Sequence, residues 1–304
     1  VTNASALLTS WFPRFVAILH HVKKRYMNNR IYTHVGAILV AVNPFEHLPI
    51  YGKDEMIKAS RLIVTRPYPH VFVTAAGSFD ELRSTSQNQS ILISGESGAG
   101  KTETTKKVLS FLATMAPSAQ TKRRTISHRR PLAETKVAED QNKDSVGIED
   151  QILQSNPLLE ALGNAKTLRN DNSSRFGKYM NVGFDTNFCI KGCSIENYLL
   201  EKSRVVRQTR GERNYHIFYF ILAGAKDNVL KKLQLTRKPE DYNYLNTSGC
   251  VSIQGLDDAA EFADVVTAMG TLEFDDAFQL QLLSIVGAVL HLGNATFTAR
   301  IENN

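Results

Sequence analysis

The sequence predicts an α/β fold, a mixed central sheet flanked by helices, on two observations. The stretch "SILISGESGAGKTETTK", residues 90–106, passes from a short apolar run through three glycines into a helical pattern. Strand-like and helix-like segments are mixed along the rest of the chain, with no internal repeat.

Each element follows from spacing. Phe12, Phe15, Val16, Leu19 and Val22 fall at helical intervals and predict a helix over residues 12–26. "HVGAILVAV", residues 34–42, reads as a strand, and "NPFEHLPIYG", residues 43–52, with two prolines and a closing glycine, as an irregular loop. A helix is expected over 70–84 and a short buried strand over 90–94. Another helix covers 101–115, where Val108, Leu109, Phe111, Leu112 and Met115 share one face. Residues 116–147 carry Pro117, Pro131, many charges and few apolar side chains, and read as an exposed charged loop. Beyond it, "VGIEDQILQSNPLLEALGNAKT" has helical periodicity, and "KYMNVGFDTNFCIKGCSIENYLL" alternates around Asp185, Thr186 and Asn187 as a hairpin does. Helices are expected over 212–224 and 274–291, the second stopped by Gly293. The expected organisation is residues 1–115, a loop of 116–147, and residues 148–304.

With 304 residues, 42% hydrophobic and 22% charged, the chain can bury a large core, which excludes disorder throughout. It begins with Val1 and ends at Asn304, and both ends read as cuts. No apolar run approaches the length of a bilayer span, and Pro13, Arg14, His20 and His21 interrupt residues 11–22, against a secretory signal. Cys189, Cys193 and Cys250 form no C-x-x-C pair and lack zinc-like histidine spacing, so they read as small buried hydrophobes in a reducing, cytosolic setting. The net charge of +6 is concentrated locally. "KRRTISHRR", residues 122–130, precedes a tract with Glu134, Glu139, Asp140, Asp144, Glu149 and Asp150.

The chemistry begins at the glycines. Gly95, Gly100, Lys101 and Thr102 match G-x-x-x-x-G-K-[ST], a turn in which glycines let backbone N–H groups converge on phosphate oxygens ahead of a helix N-terminus. In that pattern Lys101 reaches the terminal phosphates and the Thr102 hydroxyl a magnesium ion. The pattern implies a P-loop NTPase core with nucleotide at the carboxyl end of a strand. A second motif, "NDNSSRFGK", residues 170–178, offers one hydroxyl for magnesium, another for a water, and a cation for a charged partner. Asn142, Lys143 and Asp144 lack the Asn-Lys-x-Asp spacing that would read guanine.

Together these motifs resemble the myosin motor (head) domain family. The resemblance runs through "RIYTHVGAILVAVNPFEHLPIY", "NQSILISGESGAGKTETTK", "EDQILQSNPLLEALGNAKTLRNDNSSRFGKYM", "IENYLLEKSRVVRQTRGERNYHIFYFILAG" and "VLHLGN", in family order. Kinesins share the serine pair and arginine, but "RFGK" after the pair is similar to myosin. The resemblance implies ATP and Mg2+ as ligands, with Asn43, Pro44 and Tyr51 framing adenine. Gly95, Glu96, Ser97, Gly98, Ala99, Gly100, Lys101, Thr102 and Glu103 would form the phosphate loop and helix start, with Lys101 on the outer phosphates. Thr102 and Ser174 would supply hydroxyls to magnesium, and Asn170 and Ser173 would position the outer phosphate and the water. Arg175 would pair with a glutamate of a later acidic loop, "D-I-x-G-F-E", expected beyond Asn304; Asp185 in "VGFD" reads as a hairpin aspartate instead.

On this resemblance the fold is incomplete because the chain ends before the acidic switch strand, which would leave an open sheet edge and an exposed apolar face. Residues 1–115 would be the N-terminal motor core, and 148–304 would hold the switch and the start of the upper actin-side subdomain. The whole protein would be an actin-activated ATPase, cytoplasmic and cytoskeleton-associated, with no membrane span. This chain alone is expected to be inactive or very slow, and poorly soluble or partly molten. Leu162 stands where the family usually has phenylalanine, a volume change a packed region tolerates. The rival reading is a nucleotide-binding module whose basic stretch 122–130, containing Ser127, binds nucleic acid or acts as a nuclear-localisation patch; the stretch lacks aromatics to stack bases.

Overall fold

The structure, a computed structural model, describes residues 11–62, 68–116 and 148–298. Residues 117–147, which include the basic stretch 122–130 and Ser127, lie outside the described residues. The chain divides into two compact units, one of Val1–Glu139 with Thr186–Cys189 and one of Asp140–Asp185 with Ile190–Asn304.

In the first unit, α1 (Trp11–Tyr26) precedes the antiparallel pair β1 (Tyr32–Val35) and β2 (Ile38–Ala41). The predicted strand over 34–42 is therefore a hairpin. Gly36, at φ +60°, takes the left-handed conformation that a two-residue turn between Val35 and Ile38 requires. The α1 helix matches its prediction, and its Phe15, Val16 and Leu19 are exposed. The loop after β2 leads into α2 (Lys53–Leu62), then α3 (Val71–Thr85) and α4 (Lys101–Met115). Val71, Phe72, Ala75 and Ala76 of α3 join Val108 and Phe111 of α4, Met56 and Ala59 of α2, and Ile31 and Tyr32 in one apolar core.

Residues 90–94 do not form the predicted buried strand. Among the described residues they have no ladder partner, and Leu92 is 92% exposed. Ile91, Leu92 and Ile93 carry strand propensity, but only hydrogen bonding to a neighbour makes a strand. The predicted mixed central sheet is likewise absent among the described residues, which instead form three two-stranded antiparallel sheets beside helices.

The second unit starts with α5 (Ile148–Gly163), which contains Pro157. A proline cannot donate to the carbonyl four residues back, here Leu153. The Asn156 side chain does so instead, its Nδ2 donating to the Leu153 oxygen at 3.1 Å, while its Oδ1 accepts from Lys178 Nζ at 2.9 Å. Next come the short pair β3 (Asn164–Ala165) and β4 (Ser173–Ser174), and the long hairpin β5 (Gly177–Phe184) and β6 (Ile190–Tyr198). The hairpin turns at Asp185, Thr186 and Asn187 as expected, with a register shift at Gly183/Phe184. The remaining helices are α6 (Ser203–Val206), α7 (His216–Gly224), α8 (Asp227–Leu233), α9 (Asn243–Asn246), α10 (Asp258–Thr271) and α11 (Asp276–Gly293).

The core gathers around α7, whose sequence HIFYFILAG is apolar on every side and buried from His216 to Leu222. Phe262, Val265 and Met269 of α10, Leu283, Val286 and Leu290 of α11, and Leu158 and Ala161 of α5 surround it, with Leu162 packed at the margin. Gly224 allows the close approach of α10, since a Cβ there would fall 2.5 Å from that of Phe262. By length and composition α11 is apolar enough to cross a membrane, which corrects the reading that no run approaches that length. Its Leu283, Val286, Gly287 and Leu290 are buried within this unit. Cys189 is buried as expected, whereas Cys193 and Cys250 are half-buried.

Candidate functional site

The phosphate-loop motif folds as its glycines require. Gly98 and Gly100 have φ of +79° and +90°, in the left-handed region that strains residues with side chains. Glu96 and Ser97 lie exposed, and the Ala99 N–H donates back to the Glu96 carbonyl at 3.2 Å. A Cβ on Gly95 would sit 3.0 Å from that of Ala99, so the turn closes on a position without a side chain. Gly100 opens α4 with no side-chain cap, so the amides of the first turn keep the positive end of the helix dipole. Lys101 Nζ donates to the Gly95 and Glu96 carbonyls at 2.8 and 3.0 Å. Thr102 is the second residue of α4, and Glu103 pairs with Lys106 at 3.1 Å. Curled backbone, helix N-terminus and lysine together fit a multiply charged oxyanion.

Asn43 and Pro44 follow β2, and Tyr51 precedes α2. With Ala99, Gly100 and Lys107 they line a pocket of about 140 Å³. Asn43 spans the two loops, its Nδ2 donating to the Gly98 carbonyl at 2.7 Å and its Oδ1 accepting from the Phe45 N–H at 3.0 Å. The Tyr51 hydroxyl shares a 2.8 Å hydrogen bond with that of Tyr32, and Lys107 Nζ lies 4.7 Å from the Tyr51 ring centre. Burial pushes the Tyr51 phenol above its ordinary pKa, against the opposing pull of the Tyr32 hydrogen bond. Behind it His70 caps α3, its Nδ1 accepting from the Phe72 N–H at 3.1 Å and its Nε2 bonding the Ile50 carbonyl at 3.1 Å. Burial holds His70 below the usual imidazole range. The neutral Nε2–H ring therefore ties the tyrosine's loop to the helix.

The serine-arginine motif lies in the second unit. Its β4 pairs with β3, which buries Ser173 and leaves Ser174 half-buried. Arg175 Nη1 donates to Ser173 Oγ at 3.1 Å, and the Ser174 hydroxyl donates to the Phe176 carbonyl at 3.3 Å. Asn170 sits in the turn before β4, its Oδ1 accepting from the Asn172 N–H at 3.0 Å and its own N–H donating to Thr167 Oγ1 at 3.1 Å. Thr102 thus belongs to the first unit and Ser174 to the second. Among the described residues no histidine, cysteine or carboxylate cluster suits a metal. Threonine and serine hydroxyls are hard oxygen donors of the kind that magnesium takes.

Sequence reasoning missed the carboxylate that holds Arg175. Arg175 Nε donates to Glu201 Oε2 at 2.7 Å, and the same oxygen accepts from Arg204 Nε at 2.7 Å. Arg204 also pairs with Glu212 at 3.0 Å and donates to the Arg213 carbonyl at 3.1 Å. Burial works to raise the Glu201 carboxyl, but hydrogen bonds and charge from Arg204 and Arg175 leave it below its ordinary value. The i,i+3 spacing of Glu201 and Arg204 in "LEKSR" was a visible signal for this pair, although nothing in the spacing pointed to Arg175.

The family model described as Myosin head (motor domain) matches residues 14–304. The chain is 43% identical over 293 residues to unconventional myosin-Ic of Gallus gallus, covering 96% of this chain and 26% of that protein. It is 43% identical over 288 residues to unconventional myosin-VIIb of Mus musculus, with 94% and 12% covered. Against myosin-I heavy chain of Dictyostelium discoideum identity is 44% over 285 residues, with 92% and 11% covered. The chain therefore spans about a quarter or less of these relatives' length, and a match across nearly all of its own length shows that it belongs to the myosin head (motor domain) family.

Proposed function

We propose that the chain supplies the nucleotide-binding part of a myosin-type motor: a P-loop NTPase site that takes ATP with magnesium and, in the whole protein, hydrolyses ATP to move on actin. The carrying observation is the loop at residues 95–102, where two left-handed glycines lead into an uncapped helix beside Lys101. Lys101 would exchange its two carbonyl partners for outer phosphate oxygens. Thr102 and Ser174 would offer hydroxyls to magnesium, which supplies charge neutralisation at the phosphates when bound. Asn170 and Ser173 would orient the outer phosphate and the attacking water, and Arg175 would supply the cation that closes the site. Pro44, Tyr51 and the pocket beside Gly100 would receive the base. The proposed partner is the actin filament and the proposed setting the cytoskeleton of the cytoplasm.

Saturable binding of a fluorescent adenine nucleotide with magnesium to the 304-residue chain tests this reading. Lys101→Ala should weaken it at least tenfold, because a charge-assisted contact to phosphate contributes about 1.5–3 kcal/mol. Equal binding by both proteins would overturn the assignment of the loop.

A further inference from the structure

We propose that Asn43 is a positioning residue of the phosphate loop and does not itself read the base, an inference that rests on the nucleotide-binding reading above. Its amide is engaged at both ends within the protein, with Nδ2 on the Gly98 carbonyl at 2.7 Å and Oδ1 on the Phe45 N–H at 3.0 Å. The second bond closes a small turn that fixes the side chain's direction just past β2. The first bond holds a peptide plane. Because that plane is rigid and trans, fixing the Gly98 carbonyl also fixes where the Ala99 N–H points. That N–H donates to the Glu96 carbonyl at 3.2 Å, the bond that closes the loop.

Gly98, at φ +79°, and Gly100, at φ +90°, are the two residues whose conformations shape the phosphate cradle. Asn43 touches the surroundings of both, since a Cβ on Gly100 would lie 3.9 Å from Asn43 Cγ. One side chain thus props the two flexible positions of a glycine-rich loop from the neighbouring loop. Removing the prop should broaden the loop's conformations and weaken phosphate binding whether or not a base is attached.

The test compares two ligands, ATP and inorganic tripolyphosphate, each with magnesium, by titration calorimetry on the full chain. Asn43→Ser keeps a short oxygen near the Phe45 N–H, loses reach to Gly98 and adds no charge. We expect about tenfold weaker binding of both ligands, the equivalent of one lost hydrogen bond with its unpaired acceptor. Loss confined to ATP would make Asn43 a base reader and overturn the proposal, as would unchanged binding of both. Gly98→Ala strains the same peptide from its other side and should reproduce the two-ligand loss. If Asn43→Ser gives no cooperative melt, Asn43→Thr, which also keeps a hydroxyl near the Phe45 N–H and lacks the reach to Gly98, decides the question in the same terms. Wild-type chain that binds neither ligand would overturn the nucleotide-binding reading, and this proposal with it. Wild-type binding with an unaffected Asn43→Ser overturns this proposal alone.

Discussion

Arg204 shows how one buried cation sets the state of its neighbours. Its side chain is 6% exposed and divides its donors among Glu201, Glu212 and the Arg213 carbonyl. The planar fork makes this possible, and a lysine could not reproduce it. Arg204→Met should destabilise the chain by roughly 3 kcal/mol, because two carboxylates lose a shared cation, as a lowered urea midpoint would report. Burial alone would lower the Arg204 pKa, yet hydrogen bonds and charge from Glu201 and Glu212 raise it, so the arginine remains charged. These residues were hard to see in sequence. Lys101 and Thr102 sit in a contiguous motif whose chemistry is local, while Arg175 and Glu201 are 26 positions apart and meet only after the β5/β6 hairpin folds. Asn43 was legible as part of the irregular loop 43–52, but its bond to Gly98 links positions 55 apart.

At the scale of elements, α5 illustrates a helix that carries its own repair. Asn156→Ala removes the donor to the Leu153 carbonyl and the acceptor of Lys178, and should cost about 2 kcal/mol in urea unfolding. Pro157→Ala restores a backbone N–H four residues after Leu153. The double variant should therefore cost less than the sum of the single ones, a coupling readable from a double-mutant cycle. The spacing of apolar residues was enough to read α1, α3, α4 and α11 to within a few residues. It failed at 34–42 because Gly36 interrupts a continuous apolar run without breaking its strand character. It failed at 90–94 because pairing is non-local. The predicted helix over 212–224 starts later, at His216, since Asn214 is drawn into bonds with the Val205 and Tyr244 carbonyls. The α10 helix escaped notice although Asp257 caps it, accepting from the Ala259 and Ala260 N–H groups.

For the whole molecule, acid stability should centre on His216. Burial, then the positive charge of Arg213, pushes its pKa from 6.5 down to about 3. Its ring stacks on Phe220 at 5.4 Å. A depressed folded-state pKa means that the neutral ring is the folded form. Its contribution is fully present above pH 6.5 and is lost progressively as pH falls toward about 3. His216→Phe should keep the stacking and flatten that limb, so that its urea midpoint falls less than wild type between pH 7 and about pH 4. A last consequence concerns selectivity among anions. Because Lys101 already rests on two carbonyls of its own loop, an incoming anion must out-compete those dipoles before it gains the ammonium. Chloride or a carboxylate offers little more than it displaces, whereas a chain of phosphates brings several charges at once. On the proposed reading the loop would therefore set a threshold of charge density and favour a chain of phosphates over simple salts.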